Sequence, residues 1–211
     1  MFADRKDAAL RLSKALEKFK DKNVVVLGIP RGGAETAYYV ARHLNAELSL
    51  ILVRKLGYPG NEEYAFGAIA EDGSVYYNKN ARSKLSQDTV NTIETKEKAE
   101  IERRIQTLRK GGKLPQIKNK TVIIVDDGIA TGSTIFAAIK MCKNKGAAKI
   151  IVAAPVSSPD KERELKKEAD EVCILLKPYQ FYAVSQAYDS FYNLTDDEAL
   201  AFMERWEKEK R

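Results

Sequence analysis

The 211-residue sequence predicts an α/β protein built on a mostly parallel central sheet flanked by helices. Three observations predict it. Apolar runs at Val24 to Ile29 and Val122 to Val125, with a third inside Lys149 to Ala154, read as strands buried on both faces, as parallel strands are. Segments with helical spacing separate such runs, and a strand–helix–strand order implies a right-handed parallel crossover. Glycine-bearing loops follow two of the runs, at the carboxyl ends where open α/β sheets bind ligands.

The elements follow in order. Asp4 to Phe19 carries Leu12, Leu16 and Phe19 at the spacing of an amphipathic helix. Val24 to Ile29 is a strand, and Pro30-Arg31-Gly32-Gly33 a turn. Ala34, Ala37, Tyr38, Ala41 and Leu44 then recur with helical period, and Leu48 to Val53 is the next strand. Residues 54–66, punctuated by Gly57, Pro59 and Gly60, read as a mobile loop. Gly67 to Ala70 and Ser74 to Tyr77 flank Glu-Asp-Gly, a turn signal for a small hairpin.

Arg82 to Lys110 reads as one long polar helix. It is supported by Glu94 with Lys98 and Glu100 with Arg104, and has an apolar stripe of Ile93, Ile101, Ile105 and Leu108. Gly111-Gly112 ends it. Beyond Val122 to Val125 and the helix beginning near Thr134, Lys149 to Ala154 is another strand. Ser158-Pro159 is an N-cap with proline at the first helical position. Val172 to Leu176 is the last core strand, and Lys177 to Asn193 is aromatic and irregular. Thr195-Asp-Asp-Glu198 is a capping box opening a final helix with Leu200, Phe202 and Trp206.

Length suits a single domain, 1–211, with a substantial core. No apolar run approaches the roughly 20 residues needed to cross a bilayer. The first residues lack the apolar centre of a signal peptide, so the expectation is a cytoplasmic protein with no membrane partner. Cys142 and Cys173 form no metal or redox motif, and the single histidine, His43, reads as a surface or boundary residue. The net charge of +6 suits anionic ligands. Acids and bases are mixed along the chain without a long basic run, so nucleic acid is not the expected partner.

The most informative string is Thr121-Val-Ile-Ile-Val-Asp-Asp-Gly-Ile-Ala-Thr-Gly-Ser-Thr134. It reads as a strand, two carboxylates, a small-residue loop and a helix start. Gly132 allows a tight turn. The amides of Thr131 to Thr134 face an anion at the positive end of the helix, and three hydroxyls add donors. Asp126 and Asp127 suit vicinal hydroxyls, which donate to charged acceptors. A sugar with a 5′-phosphate and two free hydroxyls meets both demands. A second string, Gly28-Ile-Pro-Arg-Gly-Gly33, also closes a strand. Arg31 offers a planar fork for phosphate, and Gly32 and Gly33 permit strained backbone and close approach.

The first string resembles the binding motif for phosphoribosyl pyrophosphate (PRPP) in type I phosphoribosyltransferases. The order Gly-Ile-Pro-Arg-Gly-Gly, Val-Arg-Lys-Leu-Gly…Pro-Gly-Asn, PRPP motif and aromatic tail is similar to a group of bacterial and archaeal phosphoribosyltransferases without a settled substrate. The resemblance covers most of the chain. It implies the type I fold, with a core at about 20–176, a lid hairpin at 54–77, a helical insertion at 82–112, and a hood plus C-terminal helix at 177–211. It implies a transferase that joins the 5-phosphoribosyl group of PRPP to a nitrogenous base and releases pyrophosphate.

Site roles follow from the same resemblance. Ala130, Thr131, Gly132, Ser133 and Thr134 would bind the 5′-phosphate, and Asp126 and Asp127 the ribose. Arg31, Gly32, Gly33, Arg54 and Lys55 would hold the pyrophosphate. Asp126, Asp127 and Lys55 would serve catalysis. Mg²⁺ would be the cofactor, held mainly by PRPP and water near Asp126 and Asp127, with no dedicated protein cage. Glu62 and Glu63 are candidate acid–base groups on the lid. Tyr179, Phe181, Tyr182, Tyr188 and Phe191 stand where such proteins build a hood over the base, although core packing is the default for any one of them. Enzymes for 6-oxopurines carry a catalytic Asp directly before the Thr-Gly of the motif, whereas this chain has Ala130, which argues against that route. Residues 54–60 are similar to adenine phosphoribosyltransferases. The fold also serves regulators that bind PRPP or nucleotides and control nucleic-acid binding, the alternative reading. A homodimer fits the family, with no independent signal for one in the residues.

Overall fold

The computed structural model describes residues 1–210, apart from the side chains of Glu62 and Glu63. The helices are α1 (Arg5–Ala15), α2 (Gly32–Leu44), α3 (Lys79–Arg82), α4 (Gln87–Arg109), α5 (Ser133–Asn144), α6 (Pro159–Leu165) and α7 (Asp196–Glu209). The strands are β1 (Val24–Gly28), β2 (Glu47–Leu50), β3 (Val53–Tyr58), β4 (Asn61–Ala70), β5 (Val75–Tyr77), β6 (Thr121–Val125), β7 (Lys149–Val156) and β8 (Glu171–Leu176). A parallel sheet has the order β2-β1-β6-β7-β8, and an antiparallel sheet the order β3-β4-β5.

The parallel sheet is covered on both faces, which is why its strands are apolar throughout. Side chains alternate along β6. Ile123 and Val125 pack with Leu12, Tyr38 and Leu44 on one face, while Val122 and Ile124 pack with Ile135, Ile139 and Cys142 on the other. The antiparallel sheet leans on α5, with Tyr76 stacked on Phe136 at 4.7 Å between ring centroids. It also leans on α4, whose C-terminal Arg109 is buried against Glu71 and donates to the Leu50 carbonyl.

Three expectations are corrected. Leu48 to Val53 is not one strand: β2 ends at Leu50, and Val53 already belongs to the other sheet. The segment 54–66 is not a loop, because Arg54 pairs with Ile69 and Leu56 with Gly67, so its backbone groups are satisfied across the hairpin. Its glycines hid the alternation that buries Leu56 and Phe66. The long helix starts at Gln87 rather than Arg82, capped by Ser86, whose hydroxyl accepts from the Thr89 amide. Asn78 caps the separate short helix α3. Within α4, Glu94 accepts from the Tyr77 hydroxyl and Glu100 from Arg104. The Thr195–Glu198 capping box and the Ser158 cap are present as expected. His43 is half-buried and pairs with Glu17. Among the described residues, no helix is long and apolar enough to cross a membrane.

Candidate active site

Strand register assembles the site. Gly28, the last residue of β1, lies opposite Val125, the last residue of β6. The loops that leave these strands, 29–31 and 126–132, therefore start level and side by side. They are packed without room for a side chain between them. A Cβ on Gly32 would lie 1.8 Å from Asp127 Oδ2, and one on Gly33 2.9 Å from the Val125 carbonyl oxygen. Close approach requires these glycines. Neither has a positive φ, so the expected strained backbone is absent from both. The Pro30–Arg31 peptide bond between strand and helix is cis.

The second loop turns at Gly132, which caps α5 with φ +77°, a conformation few side chains tolerate. Here Ala130 and Thr131 are exposed, Ser133 is buried and Thr134 is half-buried, with the free amides of the α5 N-terminus between them. Lys161 crosses beside Gly132, and its ammonium lies 5.6 Å from the centre of the Phe136 ring.

The acid pair is asymmetric. Asp126 accepts from the Asp127 amide at 2.9 Å. Burial, and then the neighbouring Asp127 charge, push its carboxyl well above the usual range, against the pull of Lys55. Asp127 Oδ2 accepts from Arg5 Nε at 2.7 Å, and the Arg5 side chain is only 4 % exposed. The Tyr188 hydroxyl donates to the Asp127 carbonyl. Burial raises the Tyr188 phenol, and Asp127 adds to the effect. The sequence reading missed Arg5. Its signal was the position: a cation in the first turn of a helix opposes the dipole, so it is expected where another partner holds it.

An open cavity of about 1040 Å³ lies over these loops. Arg31, Gly32, Asp126, Asp127 and Thr134 line it from the parallel sheet, and Arg54 and Lys55 from β3. Thr134 is the part of the 130–134 loop on the cavity wall, and Gly33 lies behind the acids. Lys55 is exposed. Arg54 Nε donates to the buried Glu97 at 2.7 Å, which ties this cavity-lining cation to α4. The N-terminal half of α4 forms the outer wall, through Asp88, Thr92 and Lys96. Val184, Phe191 and Leu194 form the apolar part of the remaining wall.

The five candidate hood aromatics divide. Phe191 reaches the cavity. Tyr188 is buried and Phe181 packs against the same small core, while Tyr179 and Tyr182 are 92 % and 81 % exposed. The side chains of Glu62 and Glu63 lie outside the described residues. No group of three or more His, Cys, Asp or Glu side chains among the described residues could hold a metal ion. Asp126 and Asp127 supply hard oxygen donors on the cavity wall, a set that suits Mg²⁺ only if a ligand and water complete its shell.

Residues 5–186 match the family model described as "Phosphoribosyl transferase domain". The chain belongs to that family. It is 40 % identical over 207 residues to the "Putative phosphoribosyl transferase Rv0571c" of Mycobacterium tuberculosis, covering 97 % of this chain and 47 % of that protein. The chain thus spans about half the length of the curated relatives it matches. The crystal structure of TT1426 from Thermus thermophilus superposes with a TM-score of 0.82 at 36 % identity, over 97 % of this chain and 98 % of that one. A shorter match, 55 % identical over 40 residues, covers 19 % of this chain and 20 % of the "Transcriptional regulator GfcR" of Methanosphaera stadtmanae.

Proposed function

We propose that the site transfers the 5-phosphoribosyl group of PRPP to a nitrogenous base and releases pyrophosphate. One observation carries this: the Arg31–Gly33 turn and the Asp126–Asp127 pair are in direct contact at the ends of adjacent strands, beside the N-terminus of α5, under one cavity. An anion-binding helix end, a diol-binding acid pair and a diphosphate loop then stand in the order of the groups along PRPP.

In this reading the amides and hydroxyls of residues 130–134 hold the 5′-phosphate. Asp126 and Asp127 accept from the ribose hydroxyls. Their charge also favours the positive charge that develops on the ribose as the bond at C1 breaks. The base nitrogen bonds to C1, and the pyrophosphate leaves with the electron pair. Arg31 and Lys55 stabilise that leaving group from the two sides of the cavity. Arg54 acts behind them, pairing with Glu97 to hold the hairpin to α4. Mg²⁺, held by PRPP and water beside Asp126 and Asp127, would offset the diphosphate charge. The β3–β4 hairpin serves as lid, and residues 177–193 as hood, with Val184 and Phe191 as the face for a planar base.

The test is pyrophosphate release from PRPP and Mg²⁺ with a panel of purines, pyrimidines and related heterocycles. Asp126→Asn/Asp127→Asn serves as control. Release with one base, lost in a control that still melts cooperatively, is the expected result. Full activity in the control would overturn the assignment. The GfcR match supports a second reading, a PRPP-sensing regulator of the same fold. That reading requires salt-dependent nucleic-acid binding altered by PRPP, without turnover.

A further inference from the structure

Arg5 is a cation in a buried position, an unusual place for an arginine. It comes from the first helix, yet it reaches the ribose end of the cavity from outside the sheet. Its Nε donates to Asp127 Oδ2 at 2.7 Å and its Nη2 to the Tyr192 carbonyl at 2.6 Å. Its guanidinium lies 4.2 Å from the centre of the Phe191 ring, the aromatic that reaches the cavity. Arg5 also acts on Glu35, a further carboxyl nearby. Burial raises the Glu35 carboxyl, Arg5 lowers it, and Asp4, Asp127 and Glu198 raise it further. The surrounding chain is fastened in the same way. The Phe2 amide donates to the Ala187 carbonyl, the Asp189 amide to the Phe2 carbonyl, and the Tyr188 hydroxyl to the Asp127 carbonyl.

We propose that Arg5 is a positioning residue of the ribose site, fixing the Asp127 carboxylate and the Tyr188–Tyr192 segment in one arrangement before ligand binds. This rests on the ribose assignment made above. The argument is geometric. Asp127 has two carboxylate oxygens. With Oδ2 bound to Arg5 the carboxylate is held in one orientation, and Oδ1, which makes no bond to Arg5, can accept from a hydroxyl donor. Its other contacts are to the Tyr192 carbonyl and to the rings of Phe191 and Tyr192. One planar, always-charged group thus sets both the acid that meets the sugar and the wall that meets the acceptor. An ammonium could match the charge but not the two separately directed bonds and the stacking at once. Pre-organisation of this kind shows as ligand affinity, because the ordering is done before binding.

The experiment compares two ligands that divide the site, ribose 5-phosphate and pyrophosphate with Mg²⁺, by calorimetric titration of the full chain. Wild type, Arg5→Lys and Arg5→Gln are measured alongside thermal melts. The expected result is a tenfold or greater loss of ribose 5-phosphate affinity in Arg5→Gln. A smaller loss is expected in Arg5→Lys, and pyrophosphate affinity should stay within about twofold in both. A merely structural role would weaken both ligands together, or neither in variants that remain folded; either pattern overturns the proposal. If Arg5→Gln does not fold, Arg5→Lys carries the test by the same ratio of the two affinities. If wild type binds pyrophosphate but not ribose 5-phosphate, the ribose assignment itself falls and takes the proposal with it. Equal ribose 5-phosphate affinity in all three proteins sinks the role of Arg5 alone.

Discussion

The two walls of the cavity are built on different principles. The inner wall, at the ends of β1 and β6, is backbone against backbone, with glycines where a methyl group would collide with a carboxylate. The outer wall, β3 with α4, is held by side chains: Arg54 to Glu97, and Arg109 to Glu71 behind it. The glycine at the tip of the outer wall, Gly60, has φ +78° and nothing within 4 Å of where a Cβ would lie. Position along the inner wall is thus set by close packing. The outer wall joins α4 through these ion pairs together with apolar packing of Leu56 and Phe66 in the main core. The proposed transfer, which needs a sugar phosphate held rigidly and an acceptor admitted, suits this division.

The largest way to break this contrast is Gly32→Ala. The new methyl must displace either Asp127 or the Arg31 loop by more than an ångström. A misplacement of about 1 Å can cost about 10²-fold, so pyrophosphate release should fall by more than about 10²-fold. Gly60→Ala is its counterpart on the outer wall. It should cost about 1 kcal/mol of stability from backbone strain alone, with turnover nearly kept. Comparable damage from both would erase the distinction.

Lys55→Met comes next. Lys55 is exposed, so melting should be unchanged, while loss of a cation at the leaving group should lower kcat by about 10²-fold. Its neighbour Arg54→Met should behave oppositely. It strands the buried Glu97, lowering stability by about 1–3 kcal/mol, with activity affected mainly through the loosened hairpin. A pyrophosphate affinity that falls more in Arg54→Met than in Lys55→Met would return Arg54 to direct anion binding.

The smallest effect concerns Asp126, and it has a sign. A carboxyl held above its ordinary range in the fold binds its proton more tightly than the unfolded chain does. It therefore costs stability as pH rises past the ordinary carboxylate value, and the cost is absent below it. Asp126→Asn should therefore raise the melting temperature at neutral pH, and the gain should vanish below the ordinary carboxylate value. A lower melting temperature at pH 7 would contradict the burial of that charge.

Much of the inner wall was legible because local sequence carries it. Four consecutive buried apolar residues, two acids, a left-handed glycine and a helix start occupy one continuous stretch, 122–134, and each residue type has one physical use there. The outer wall was misread as a loop. Pairing of Arg54 with Ile69 joins residues 15 positions apart across glycines and a proline that read as loop punctuation. Arg54 and Lys55 looked equivalent in the string, and only the position of Glu97 on α4 separates them.

By itself, then, the amino-acid order determined the parallel sheet, the helix caps at Ser158 and Thr195, and the residue set of the loops after β1 and β6, since these depend on neighbours in the chain. The tertiary structure decided what depends on distance. Strand register put Gly32 against Asp127. The fold carried Arg5 across 122 positions to the same carboxylate. The exposure of Tyr179 and Tyr182, against the burial of Tyr188, separated aromatics that composition could not. Period and propensity act over a few residues, whereas a carboxylate acquires its partner only when distant segments are packed together.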